Sequence, residues 1–129
     1  MKRTVIAVLF AGIAQVALAG DYSYFCTINN VYQLGDDGLI TLSASHTKIM
    51  RNERFSVDRR TGVIVGERIP AFRATKHEVL FPGRDGNSFK SYFQDYNFVS
   101  YLEVYEYRQG TRKPFVLHDS INIYAGFCE

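Results

Sequence analysis

The chain has 129 residues and a formal net charge of +2, with 15 basic and 13 acidic side chains. Two of the basic residues, Lys2 and Arg3, lie in an N-terminal segment that we expect to be removed, which leaves 13 charges of each sign. A neutral, exported chain of this length excludes a large multidomain protein and gives no electrostatic reason to expect nucleic acid as a partner.

The first residues predict a cleavable secretory signal. Lys2 and Arg3 precede an apolar run over residues 5–14, and Ala17 and Ala19 supply the small side chains that a signal peptidase needs before Gly20. The run is about half of the roughly 20 residues that span a bilayer, so we expect no retained membrane anchor. The sequence thus predicts a signal peptide over residues 1–19 and one mature domain over residues 20–129, periplasmic or secreted from a bacterium.

The two cysteines, Cys26 and Cys128, lie near opposite ends of the predicted mature domain. In an oxidising compartment such a pair is expected to form a disulfide. The alternative is a pair of buried free thiols.

Strand-length segments separated by turn residues cover most of the mature chain, and its tyrosines and phenylalanines favour strands. Residues 43–52 lack a clear period and predict a loop or a short helix. A polar turn over residues 58–62, which ends in Gly62, predicts a hairpin. The predicted strands cover residues 22–32, 39–42, 55–57, 63–65, 79–81, 89–93, 98–107, 114–117 and 121–127.

These segments predict an all-β fold, a small antiparallel barrel or sandwich of about seven or eight strands whose termini are joined by the disulfide. We expect the two cysteine-bearing strands to be neighbours. A barrel is favoured over a sandwich because closure removes exposed strand edges.

No motif in the sequence specifies a reaction. The three histidines, His46, His77 and His118, match no metal-ligand spacing, and the Asp-rich turns at 36–38 and 85–87 lack the spaced ligands of a calcium loop. We therefore predict no catalytic residue, no metal site and no cofactor, and an enzyme only if residues from distant loops converge.

Charge is unevenly distributed along the mature chain. Residues 48–76 carry a net charge of +5, residues 20–47 a net charge of −3 and residues 77–129 a net charge of −2. The hairpin arginines Arg59 and Arg60 are candidates for binding an anionic partner. The alternative is that these charges are dispersed over the folded surface.

The predicted strand over residues 98–107 has two distinct faces. The face with Leu102 and Val104 is the expected core face, so Tyr101, Tyr105 and Tyr107 are expected outside, beside Glu103. Exposed tyrosines beside a charge are typical of protein-binding surfaces. The same tyrosines would also fit the interior of a barrel or the underside of a long loop.

The sequence thus predicts an exported domain that binds another protein of the cell envelope or medium, as an inhibitor or an immunity factor. Its candidate binding residues are Tyr101, Tyr105, Tyr107, Arg59 and Arg60. Two alternatives remain open: a carrier of a small molecule or lipid in an aromatic-lined barrel cavity, and an envelope enzyme built from loops.

Overall fold

The structure, a computed structural model, describes residues 22–69, 74–84 and 86–129. The predicted signal segment, residues 1–19, lies outside these ranges. The described elements are β1 (Ser23–Leu34), β2 (Ile40–Leu42), α1 (Ala44–Met50), β3 (Arg54–Asp58), β4 (Ile64–Val65), β5 (Lys76–Pro82), β6 (Phe89–Asp95), β7 (Phe98–Val104), β8 (Lys113–Asp119) and β9 (Asn122–Cys128).

The fold is all-β, with 55% of the chain in strands and 7% in helix, and the strands form one antiparallel sheet curled into a half-barrel. Eight strands follow one another across the sheet in the order β4-β3-β1-β9-β8-β7-β6-β5, and β2 pairs with β1 off this path. The predicted fold class is therefore confirmed. Within the described residues, no helix is long and apolar enough to cross a membrane.

The two cysteine-bearing strands are neighbours, as predicted. Cys26 in β1 lies directly opposite Cys128 in β9, and their sulfur atoms form a disulfide between residues 102 positions apart. The disulfide therefore fixes the pairing of the first and last strands at the middle of the sheet.

Side chains alternate between the two faces of a strand, so every second side chain points into the interior of the half-barrel. In β1, Tyr24, Cys26 and Ile28 are buried, and a bulge between Ile28 and Asn30 then shifts the alternation so that Val31 is also buried. The predicted strand over residues 22–32 is confirmed as part of β1, and the bulge is a feature that the sequence did not predict. The shift turns Tyr32 to the outer face.

Apolar side chains fill the interior of the curl. Phe89, Leu102, Phe115 and Leu117, from three neighbouring strands, are almost completely buried. The rings of Phe55 and Phe115 pack edge to face, with their centroids 5.1 Å apart. Burial of such large side chains is the main stabilising term of the fold.

The hairpin predicted at residues 58–62 joins β3 to β4. The Asp58 carboxylate accepts hydrogen bonds from the backbone N–H groups of Arg60 and Thr61 at 2.8 and 3.0 Å. Gly62 has a φ of +74°, a conformation that side-chain-bearing residues rarely adopt. The hairpin prediction is confirmed.

Two other predictions need correction or refinement. β7 ends at Val104, so residues 105–107 are not the end of a long strand. Phe98, which shares the predicted core face of Leu102 and Val104 by strand alternation, is exposed. The segment at residues 43–52 contains α1. Thr47 attaches this helix to β1, because its hydroxyl accepts a hydrogen bond from the Val31 N–H at 2.9 Å.

Candidate functional site

The outer face of the sheet carries a row of side chains that crosses seven strands, here called the outer row. Each member lies directly opposite the next on the neighbouring strand, and opposite residues of an antiparallel pair point to the same side of the sheet. From β5 to β2 the members are Glu78, Tyr92, Tyr101, His118, Ile123, Tyr32 and Leu42.

Hydrogen bonds to carboxylates hold the two central tyrosines of the outer row. The Tyr92 hydroxyl donates to Glu78 Oε2 at 2.7 Å, and the Tyr101 hydroxyl donates to Glu103 Oε2 at 3.1 Å. Partial burial, followed by the nearby Glu103 carboxylate, raises the pKa of Tyr101 to about 12. Both hydroxyls are thus hydrogen-bonded within the sheet, so the surface that the rings present to a partner is mainly apolar.

The charges around these tyrosines cancel in pairs. Lys76 Nζ lies 3.3 Å from Glu78 Oε2, and Lys90 Nζ lies 3.6 Å from Glu103 Oε1. The Lys76 ammonium also lies 5.4 Å from the centroid of the Tyr92 ring, a cation–π contact. The outer row therefore has an aromatic and aliphatic centre with a charge-balanced border.

Tyr105 and Tyr107 lie beyond the end of β7, next to this face but not in the outer row. Their rings pack perpendicular to each other, with centroids 5.9 Å apart. With Arg108 and Pro114 they line a shallow depression of about 250 Å³. The structure thus brings the predicted tyrosines onto one side of the molecule, although the predicted strand alternation does not extend to residue 107.

The two candidate arginines occupy different environments. Arg59 donates to the Gly83 carbonyl oxygen at 2.9 Å, lies 4.7 Å from the centroid of the Tyr24 ring, and is 3.6 Å from Glu106 Oε1. Arg60 remains exposed, paired with Asp58 at 3.5 Å. Arg59 is therefore held by contacts within the chain, and Arg60 has the more accessible guanidinium of the two.

Half of the eight basic side chains of residues 48–76 lie close to carboxylates. Arg59, Arg60, Arg68 and Lys76 each lie within 4 Å of a carboxylate, at 3.6, 3.5, 3.5 and 3.3 Å. Arg73 lies outside the described residues. Close pairing weakens the field of these four side chains, whereas Lys48, Arg51 and Arg54 take part in no ion pair among the described residues.

A cavity of about 290 Å³ opens at the rim of the half-barrel, beside the turns that join β6 to β7 and β8 to β9. Phe93 and Phe98 line its apolar side. On its polar side, the Ser100 hydroxyl donates to Asp119 Oδ1 at 2.6 Å. A small ligand in this cavity would contact both aromatic and carboxylate surface.

The three histidines lie in separate places. His46 is on α1, where its ring is 2.9 Å from the Ser43 hydroxyl, and His118 is in the outer row. His77 is on the inner side of β5, with its ring centroid 6.2 Å from that of Phe93. Over residues 22–69, 74–84 and 86–129, no group of three His, Cys, Asp or Glu residues is arranged to hold a metal ion.

Sequence reasoning missed Tyr92 and His118, which lie beside Tyr101 in the outer row, and Tyr32, which lies three strands away. The alternation in residues 89–93 places Lys90 and Tyr92 on one face, which is the signal that was available for Tyr92. Their alignment depends on the register between neighbouring strands, and alternation within one strand carries no such information.

Comparison with known proteins found no protein-family model, no curated protein and no solved structure that matches this chain.

Proposed function

We propose that the chain is an exported binding domain that recognises another protein of the cell envelope or medium, as an inhibitor or immunity factor. The observation that carries the proposal is the outer row, in which Tyr92, Tyr101 and His118 are held side by side on a continuous sheet. Tyrosine supplies a large contact area at a low cost in side-chain entropy, and tyrosines cluster at the centres of protein interfaces.

The dimensions of the face support a protein rather than a small ligand. Strands spaced about 4.8 Å apart make the outer row roughly 29 Å wide, and two adjacent rows on the same face add about 7 Å each. A face of three such rows covers roughly 600 Å², the larger part of the roughly 800 Å² that one partner contributes to a standard protein interface.

The charge pattern supports a partner surface without a strong net charge. Because Lys76 with Glu78 and Lys90 with Glu103 neutralise each other, the face has no net charge for a polyanion or polycation to bind. The surface that matches this face belongs to a folded protein and has an apolar, uncharged centre and a polar rim.

The carrier alternative has one observation in its favour, the rim cavity between Phe93 and Phe98. Its volume of about 290 Å³ is at the lower limit of the roughly 300–1,000 Å³ of small-molecule sites. A long lipid chain would need the interior space that Phe89 and Phe115 occupy. The enzyme alternative stays a prediction.

Affinity capture with the oxidised protein, from envelope extract and culture medium, tests the proposal when capture is followed by purification of the partner and titration calorimetry. Tyr101→Ala and Tyr92→Ala are each expected to weaken binding of that partner by about tenfold or more. Tyr96→Ala is the matched control, because Tyr96 is 88% exposed in the turn between β6 and β7 and is not part of the outer row.

Retention of one protein through high-salt washing, with the expected loss in both outer-row variants, supports the proposal. Equal affinity of all three variants assigns binding to another surface. A captured component that is lost at high salt points to charge-driven binding instead. An apolar dye whose fluorescence rises in the folded protein, and falls after Phe98→Ala, moves the function to the rim cavity.

A further inference from the structure

β2 is an edge strand with apolar, exposed side chains. It consists of Ile40, Thr41 and Leu42, and in the described part of the chain it pairs only with β1. Ile40 is 58% exposed and Leu42 is 53% exposed. A strand of this kind presents unpaired backbone groups together with apolar side chains, the combination that pairs with another strand.

The contrast with β5, another edge strand of the same sheet, is informative. β5 carries Lys76, ends in Pro82, and is distorted by a bulge between Val79 and Phe81. Charged residues, proline and bulges are the devices by which proteins prevent pairing at sheet edges. β2 has none of the three.

The apolar surface continues from β2 onto neighbouring elements. Leu34 lies opposite Ile40, and the Leu34 N–H donates to the carbonyl oxygen of Ile121 at 3.1 Å. Both side chains are about half exposed, Leu34 at 49% and Ile121 at 54%. Contiguous exposed aliphatic residues at a strand edge mark an interaction surface.

We propose that two copies of the chain associate through β2, with the two strands antiparallel about a two-fold axis at Thr41. In this arrangement Ile40 of one copy lies opposite Leu42 of the other, so the same patch serves both sides, as a two-fold interface requires. The pairing joins the two sheets and extends the outer row through Leu42 into the second copy. The proposal is independent of the identity of any other partner.

The charges on either side of β2 favour a second copy over a lipid surface. The turn before β2 carries Asp36 and Asp37, and α1 after it carries Lys48. In an antiparallel pair, the acidic turn of each copy lies on the same side as α1 of the other copy. This approach of opposite charges occurs twice in the dimer. An anionic membrane would meet the two aspartates unfavourably.

The area of the patch indicates a weak, reversible dimer. Four half-exposed aliphatic side chains and a short strand amount to roughly 400–500 Å² per copy, below the roughly 800 Å² of a standard stable interface. We therefore expect a dissociation constant on the order of 100 µM, which makes association dependent on concentration.

Sedimentation equilibrium over about 10 µM to about 1 mM of the oxidised protein tests the dimer. The average mass should rise from one copy towards two. The double variant Ile40→Lys with Leu42→Lys should raise the dissociation constant by at least about tenfold, because lysine at both positions opposes like charges across the axis. Val65→Lys, at a position 64% exposed on β4, should leave it unchanged.

A cysteine introduced at the axis tests the register. Thr41→Cys places two thiols opposite each other and should form a crosslinked dimer under mild oxidation, whereas Ser45→Cys, exposed on α1, should not. A single-copy mass up to about 1 mM overturns the proposal. So does an equal effect of the Val65 and β2 variants, or equal crosslinking at positions 41 and 45.

Discussion

The hydroxyl of Tyr24 donates a hydrogen bond to the carboxylate of Glu106, across 82 residues of sequence. Tyr24 belongs to β1, and Glu106 follows the end of β7, so the bond links two strands that are not neighbours in the sheet. Arg59, from the turn after β3, contacts both and also the Gly83 carbonyl after β5. These side chains close one end of the curl.

Removing this hydroxyl is expected to destabilise the fold. In Tyr24→Phe the ring still packs on Phe89, but Glu106 loses a donor at a part-buried site. A hydrogen bond to a charged group contributes about 1.5–3 kcal/mol, so the free energy of unfolding should fall by about 2 kcal/mol in urea titrations. Tyr22→Phe, at an exposed tyrosine, is the control and should change it by less than about 0.5 kcal/mol. Equal effects would show that the Glu106 contact adds no stability.

The same contact makes stability depend on alkaline pH. Burial, followed by the hydrogen bond to Glu106, raises the pKa of Tyr24 well above its ordinary value of 10.0. Above about pH 10 the unfolded chain has lost this proton while the folded chain retains it, so stability falls as pH rises. Below that pH the contribution of the Tyr24 hydroxyl to the free energy of unfolding is fully present. Unfolding titrations at about pH 8 and about pH 11 should show a smaller loss for Tyr24→Phe than for the wild type. A loss of the same size in both would assign the alkaline sensitivity to the other tyrosines.

The disulfide should contribute much of the net stability. It closes a loop between residues 102 positions apart, for which the chain-entropy model gives about 4–5 kcal/mol. The double variant Cys26→Ala with Cys128→Ala should lose about that amount in chemical denaturation, and reduced wild type should match it. A loss below about 1 kcal/mol would indicate that the reduced, unfolded chain is already compact.

Local patterns predicted the strands well, because alternation and turn residues are local signals. The hairpin at Asp58 depends on its own carboxylate and on Gly62, both visible in the sequence. The neighbouring positions of β1 and β9 followed from the cysteines. The bulge at Ile28 was not predicted, since it depends on close approach between two strands almost a hundred residues apart, and Gly126 opposite it was the available signal.

The candidate site was predicted only in part, for the same physical reason. Tyr101 could be predicted on the outer face because aliphatic residues occupy the other face of its strand. Its neighbours Tyr92 and His118 could not be predicted, because their positions depend on the register between strands. Arg59 looks like a surface cation in the sequence. In the structure it packs on Tyr24, because the turn that carries it folds back against the end of β5.

Two buried serines in the half-barrel are expected to respond to mutation in opposite ways. Ser91 Oγ is fully buried and has no hydrogen-bond partner among the described residues, whereas Ser100 Oγ donates to Asp119. Ser91→Ala removes an unsatisfied polar group and should leave stability unchanged or raise it by up to about 1 kcal/mol. Ser100→Ala should lower it by about 1–2 kcal/mol, since the carboxylate loses a donor. Thermal unfolding of the pair checks this, and destabilisation by Ser91→Ala would reveal a partner for its hydroxyl.

Among the glycines that the structure describes, Gly126 should be the one least able to accept a side chain. It lies opposite Ile28 at the β1 bulge, and a Cβ atom there would be 1.9 Å from the Thr27 carbonyl oxygen. Backbone cannot move aside as a side-chain end can, so Gly126→Ala should cost about 3 kcal/mol or more, or prevent folding. Gly35→Ala is the control, because its nearest atom belongs to the flexible Asp37 carboxylate, and it should cost less than about 1 kcal/mol. Urea titrations and the yield of oxidised protein measure both, and equal stability of the two variants would mean that β1 and β9 separate at the bulge without penalty.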